Sequence, residues 1–372
     1  MTPTPINNKP SKRYPDVFAP VALSHICHQV ADLVVARVGC QKAIELNTSA
    51  QPNSNPHLGT VTTIFSAFAL AEHLQDRTGL PVRVTFDYLE NARGQVESAL
   101  GMTYQRSLAD TRGADGLSRL DRYLPEFERL IRFAAARTGV ETVMQSYRKF
   151  QEAPIVRQLL LQLIRRRTEF QPLLGLHEPN IHVRFPCPVC GLIDKAAKTL
   201  AFEELETEEV TLSMDCPVHG RHTAALGIES GSYFDTGTAV RDIVKMAALA
   251  VQARDAQRIA VMLDGADWGG AWAWNVSALG ATMLGVPYPD LPIRYFSPAI
   301  LDANGAKFSK SVFASSGVYD YLPREYLDSE QMHRKHGEQI FERLLDMTRK
   351  WASEPARFFR NYSIDYVARE TA

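Results

Sequence analysis

No apolar run in this chain is long enough to span a bilayer. The longest candidate, around Ile155–Ile164, is broken by Arg157, Gln158 and Gln162, whereas a membrane helix needs about 20 mostly apolar residues. Cysteine is scarce and odd in number: there are five, two of them in a Cys-x-x-Cys pair. That count argues against a disulfide framework and for metal binding in a reducing compartment. Net charge is nearly absent too. At −1 there is no global field to gather nucleic acid, and the basic run Arg165–Arg167 reads as a solvated helix face. Met1–Tyr14 is polar and lacks the apolar core of a signal peptide. It reads as a mobile tail, and the expected location is cytoplasmic. Repeats and further low-complexity segments are missing.

What remains is a chain of 372 residues with 45% hydrophobic and 22% charged side chains, enough for two or three globular domains. Lys42–Asn47 reads as a strand, Thr48–Pro56 as a polar turn, and Leu58–Arg77 as an amphipathic helix closed by Gly79. A β-rich run, Val82–Tyr88, follows. Strand, helix and strand in that order imply a parallel sheet with a right-handed crossover. From Met102 to about Gly175 the pattern is helical, with Leu120, Leu124, Phe127, Leu130, Ile131 and Ala134 at helical spacing. After a Cys-bearing stretch, Val183–Ala225, a helix is expected over Thr238–Arg254 and a buried strand over Arg258–Asp264. A helix then runs through Leu284, a Pro-rich segment leads to Arg294–Ile300, and Asp320–Tyr366 is helical.

Two short motifs carry chemistry. Pro56-His57-Leu58-Gly59-Thr60 stands where a strand ends and a helix begins. Free backbone N–H groups and the positive end of the helix dipole suit phosphate there. The histidine can hydrogen-bond phosphate oxygens, and glycine lets a base or ribose approach the backbone. The second motif, Lys307-Phe308-Ser309-Lys310-Ser311, follows the turn dipeptide Asn304-Gly305. Two lysines three apart on a hinged loop can reach a triphosphate and stabilise the charge that develops on leaving pyrophosphate. Taken singly, each motif also reads as a capped helix start or a solvated basic loop.

As a pair in this order they resemble the signatures of class I aminoacyl-tRNA synthetases, written His-Ile-Gly-His and Lys-Met-Ser-Lys-Ser. The match is strict at His57, Gly59, Lys307, Ser309, Lys310 and Ser311; Thr60 replaces the second histidine, which implies a retuned phosphate contact. Asp264-Gly265-Ala266-Asp267-Trp268 is similar to the Gly-x-Asp segment that the family places near the ATP ribose. The resemblance covers roughly Lys42–Asp328 and implies an α/β, Rossmann-like parallel sheet. It also implies Mg-ATP as cosubstrate and an amino acid as the acid activated. His57, Lys307 and Lys310 would act in catalysis. Pro56, Gly59, Thr60, Gly265, Asp267, Ser309 and Ser311 would join them around ATP. The corresponding division is a tail and helix over 1–40 and the first half of the nucleotide fold over 41–101. A helical insertion with a zinc ribbon fills 102–225, the second half with the lysine loop 226–315, and C-terminal helices 316–372.

The zinc ribbon is read from Cys187-Pro-Val-Cys190-Gly and Cys216-Pro-Val-His219-Gly. Two such knuckles supply four ligands to a tetrahedral ion, and glycine after each second ligand lets the backbone fold under the metal. With no open position the metal is expected to be structural. Cys27 and Cys40 read as ordinary thiols, and His222 is a weaker rival to His219. An insertion so placed looks most like those of the lysyl- and methionyl-type enzymes, without carrying over their specificity.

Ligands of open α/β sheets bind outside the carboxyl ends of the strands. That nominates Thr48, Ser49 and Gln51 after the first strand, and Asp87, Glu90 and Asn91 after the second. Asp87 or Glu90 could hold an ammonium group, the alternative being surface or structural acids. Trp268, Trp272 and Trp274 could wall a pocket or pack the following helix.

Only 61 residues follow Ser311, so the expected acceptor is a small amine or other unusual acceptor. A compact enzyme charging a tRNA acceptor stem is the alternative, and a non-catalytic nucleotide-binding module a further one. Leu344, Leu345, Met347 and Trp351 predict a helix docked by one apolar face. Its neighbours Arg343, Arg349, Arg357 and Arg360 read as a solvated face. Replacing Lys310 by Ala is expected to slow acid activation roughly 10²–10³-fold, as for loss of one transition-state charge stabiliser, with a far smaller effect on ATP affinity. Near-normal pyrophosphate exchange by that variant would remove the role given to the loop.

Overall fold

The computed structural model describes residues 15–175, 181–205, 208–229, 232–308, 319 and 321–372. Ser309, Lys310 and Ser311 lie outside them. At the centre is a five-stranded, all-parallel sheet. In chain order its elements are β1 (Ala43–Ala50), α1 (Leu58–Thr78), β2 (Val82–Tyr88), α2 (Arg119–Thr138), β3 (Glu141–Ser146), α3 (Thr238–Asp255), β4 (Arg258–Gly265) and β5 (Ile293–Ser297). The spatial order is β5-β4-β1-β2-β3, with Ser49 beside Asp87 and Asn47 beside Met262. The chain therefore moves outward from β1 to β3 and then returns to the other side of β1. This is the doubly wound order, and it opens a crevice at the carboxyl ends of β1 and β4.

Side-chain alternation explains why the sheet needs two covers. Ile259, Val261 and Leu263 enter one buried cluster, while Ala260 and Met262 enter another. A strand with apolar residues on both faces is stable only between two layers. On the first face, Ile44, Leu46, Val84 and Phe86 meet α1 and α2. On the second, α3 and the helix Pro154–Arg165 cover β4. There polar residues also stand: Arg83 of β2 and Arg258 of β4 both bond Glu45 of β1, at 2.7 and 3.2 Å.

Local signals mark the helix ends. His57 caps α1, and Gly79 closes it at φ 69°, a left-handed value that glycine adopts without strain. Ser118 and Asp121 form a reciprocal capping box at the start of α2.

The expected helical stretch from Met102 to Gly175 is mixed. Met102–Ser107 pairs antiparallel with Arg93–Ala99, and β3 at 141–146 joins the central sheet. The central sheet thus extends past residue 101, and α2 is one of its crossovers. Neither strand announces itself, because each is short, only partly buried and poor in aliphatic residues. Beyond β4, a continuous helix is replaced by a 3₁₀ turn at Ala266–Trp268, wide π turns over Trp272–Ala278 and a short α-helix, Leu279–Met283. The last segment also carries a strand, Tyr362–Ser363, parallel to Ile300–Leu301. No helix among the described residues is long and apolar enough to cross a membrane.

Helix α4 (Gln339–Ser353) docks on α1 as its pattern predicts. Leu344, Leu345, Met347 and Trp351 are buried in the first cluster. Arg349 is not merely solvated: it forms a two-pronged ion pair with Glu72 of α1, at 2.7 and 2.9 Å. Leu344→Ala is expected to cost about 2–5 kcal/mol, the usual range for truncating a fully buried leucine. Denaturant unfolding measures it; a loss under about 1 kcal/mol would mean that the helix is not part of the core.

Candidate functional site

The crevice between β1 and β4 holds two adjoining cavities of about 330 and 140 Å³. Both are lined by Ser49, Thr60, Gly265, Asp267, Trp268 and Lys307. The larger adds Gln51, Asp87, Tyr147, Arg241, Asp242, Lys245, Asp264 and Arg294. The smaller adds Thr48, His57, Gly59 and Phe308. A larger cleft of about 410 Å³ lies over the polar sheet face around Glu45. It gathers neither motif, so the crevice is the candidate site.

The two motifs meet physically. His57 uses Nδ1 to accept from the Gly59 backbone N–H at 3.1 Å, and its Nε2 lies 3.3 Å from the Thr60 hydroxyl. Its ring rests edge-on against Phe308, with centroids 5.2 Å apart. A methyl group at position 59 would lie 3.0 Å from the imidazole, so glycine gives the histidine room to fold back over the helix start. Thr60 is thus a partner of His57. The Pro56 carbonyl accepts from Ser329 N–H at 2.8 Å, tying this turn to the C-terminal segment.

Lys307 stands on a tight hairpin. Asp302 Oδ1 accepts from the Asn304 and Ala306 backbone at 2.8 and 3.1 Å, and Gly305 turns at φ 78°. The Lys307 ammonium reaches Asp267 at 2.6 Å. The lysine loop and the Gly-x-Asp segment are therefore in direct contact.

The deeper cavity is built from paired charges. Asp87, 2% exposed, binds Lys245 at 2.8 Å and accepts from Asn47 and Gln145 at 3.0 and 2.8 Å. Arg294 joins Asp242 and Asp264, at 3.0 and 2.8 Å. Trp272 braces Asp242 through its indole N–H at 2.9 Å. Burial pushes the Asp264 carboxyl above its ordinary range, Arg294 opposes that and Asp242 adds to it. Burial also raises Tyr147, to about 12, although its hydroxyl lies 2.6 Å from Thr236.

Most nominated residues converge here, but Pro56 and Trp272 line neither cavity, and Glu90, Asn91 and Trp274 lie further off. Glu90 accepts the Tyr147 and Arg148 backbone N–H groups at 2.8 and 2.7 Å, capping the short helix that begins at Tyr147, and does not itself line the cavity. Asn91 lines a neighbouring cleft. Trp274 is 59% exposed and packs on Tyr288, leaving Trp268 to wall the cavity. Lys245, Arg241 and Arg294 escape the sequence reading. A lysine inside the apolar face of α3, and an arginine within the buried strand Ile293–Ser297, were the available signals.

The metal motif is assembled as its spacing implies. Donor atoms of Cys187, Cys190, Cys216 and His219 all lie within 4.8 Å of one another. Cys190 and Cys216 sulfurs are 3.5 Å apart, and His219 Nδ1 is 3.6 Å from both Cys187 and Cys216. Zinc bonds of about 2.3 Å in a tetrahedron give edges of roughly this length. Gly191 and Gly220 turn at φ 72° and 74°. His222 stands apart, edge-on to Phe185. This cluster can hold a metal ion such as zinc, 3 sulfurs and 1 nitrogen closing the shell.

No family model and no curated protein matches this chain. Among solved structures, a glutamate tRNA ligase from Elizabethkingia meningosepticum, crystallised with its amino acid, is similar at 12% identity. Its TM-score is 0.39, over 88% of this chain and 69% of that one. The glutamate-tRNA synthetase of Elizabethkingia anophelis gives 12% identity, a TM-score of 0.38, and 88% and 70% coverage. These are distant likenesses, and the functional reading rests on this chain's own residues.

Metal analysis of the purified protein is expected to return about one zinc per chain, with Zn–S distances near 2.3 Å. Cys190→Ser should unfold the ribbon and spare the central sheet, because the metal supplies folding energy locally. A metal-free protein with an intact ribbon would overturn this.

Proposed function

We propose that this chain activates a small carboxylic acid, an amino acid, with Mg-ATP in the manner of class I aminoacyl-tRNA synthetases. The observation that supports it most is the meeting of His57, Lys307 and Asp267 at the mouth of the β1–β4 crevice. Phosphates would lie at the start of α1, against its free N–H groups and His57. Lys307 would exchange Asp267 for phosphate oxygen, which frees the carboxylate for ribose hydroxyls. The acid enters the deeper cavity beside Trp268 and the Asp87–Lys245 pair. One carboxylate oxygen attacks the α-phosphorus, the bond to the α–β bridging oxygen breaks, and pyrophosphate leaves with the electron pair. Lys307 and Lys310 stabilise the charge that grows on it. Zinc, when bound, has no open coordination position and serves the fold of the insertion.

Two acceptors fit the second half-reaction, a small amine and a tRNA acceptor stem. They separate by salt, because neutralising several phosphates makes binding fall steeply as salt rises. The test is ATP–pyrophosphate exchange across a panel of amino acids, followed by transfer at low and moderate salt to total tRNA and to amines. Exchange that depends on one amino acid is expected. Absence of exchange with every acid would overturn the reading.

A further inference from the structure

Beyond Gln51, Thr238 and Arg241 the catalytic cavity adjoins a second cleft of about 320 Å³ that shares those three residues. Its walls come from the hairpin strands at 93–107, the zinc-bearing insertion and the start of α3. Four cations line it: Arg93, Arg184, Lys195 and Arg241. It has a single acid, Asp235, which is 1% exposed and already engaged by Arg184 at 2.6 Å and by Asn91 at 2.7 Å. Arg93, Lys195 and Arg241 have no carboxylate partner among the described residues. In the cavity next door the acids Asp87, Asp242, Asp264 and Asp267 are all matched by lysine or arginine. The excess of positive charge is therefore confined to the cleft.

A second feature points the same way. Asn91, 4% exposed, lines the cleft, and its Oδ1 has no hydrogen-bond partner among the described residues. The amide cannot be turned round to hide this, because Asp235 only accepts and must face the Nδ2 group. A buried acceptor left unmet is costly unless something supplies a donor. The cleft thus asks for a molecule with an anionic group and an N–H or O–H.

We infer that this cleft is the acceptor site and that it takes a phosphate group of the acceptor, held by Arg93, Lys195 and Arg241, with a hydroxyl or amine of the acceptor donating to Asn91. The inference rests on the adenylate-forming reading of the adjoining cavity. Phosphate suits the site because its oxygens can accept from several cations at once. The acceptor's nucleophile then enters the activated acid's cavity through the opening beside Arg241.

The test uses the full-length protein and the double variant Arg93→Ala/Lys195→Ala; both side chains are exposed, so the fold is not at stake. Binding is measured directly for inorganic phosphate, for O-phosphoethanolamine and for total tRNA, at low and moderate salt. Pyrophosphate exchange is measured in parallel. The wild type is expected to bind at least one of these probes, and the double variant to bind it at least about tenfold more weakly, the equivalent of losing one charge-assisted hydrogen bond. Loss of the small probes assigns a small phosphate-bearing acceptor; loss of tRNA alone assigns the phosphates of a polynucleotide. A wild type that binds none of the three, or a variant that binds as well as the wild type, overturns the inference. Absence of exchange in the wild type overturns the adenylation reading instead, and leaves phosphate binding to be judged by its own measurement.

Discussion

Everything at the site hangs on one topological constraint, the reversal of winding direction at β1. Because the chain leaves β1 toward β2 and later returns to β4 on the opposite side, the connections after β1 and β4 diverge and leave a gap between them. Into that gap project the α1 start from one side and the Gly265–Trp268 turn from the other. His57 and Asp267 come from opposite halves of the chain, and Phe308–Lys307 touches both. A sheet wound in one direction only would have kept these three groups apart.

The charges follow from that geometry. A crevice at the ends of parallel strands is walled by a low-dielectric sheet, so isolated ions there are costly. The chain answers with pairs: Asp87 with Lys245, Arg294 with two aspartates, and Lys307 with Asp267. Each pair joins separate elements, which holds β2, α3, β4 and β5 in a fixed relation around the cavity. The C-terminal segment adds a further brace from outside, through α4 on α1 and Ser329 on Pro56.

The parts of this architecture legible in the sequence are those with local causes. A capped helix with an apolar face, a run of aliphatic residues in β4 and two knuckles with glycine after each second ligand all carry their signal within a few residues. The strands at 102–107 and 141–146 do not: the first is a short, polar hairpin strand, and the second is a weakly apolar edge strand whose place is set by a neighbour far away in sequence. The same holds for the site. His57, Gly59 and Lys307 are visible in short motifs, whereas Lys245 and Arg294 matter because of acids 158 and 30 residues away. Glu90 shows the converse, since a carboxylate at a strand end can serve a helix N-terminus as readily as a ligand, and the two are alike in sequence.

The Lys307–Asp267 contact has a consequence for selectivity. Both side chains are substantially open to water, at 47% and 34% exposure, so their attraction is screened and easily exchanged. Among the described residues, the lysine at the mouth of the crevice is already met by a carboxylate. An anion that drew the lysine away would leave the aspartate without its partner, so a molecule that also donated hydroxyls to that carboxylate would be favoured over one that brought charge alone.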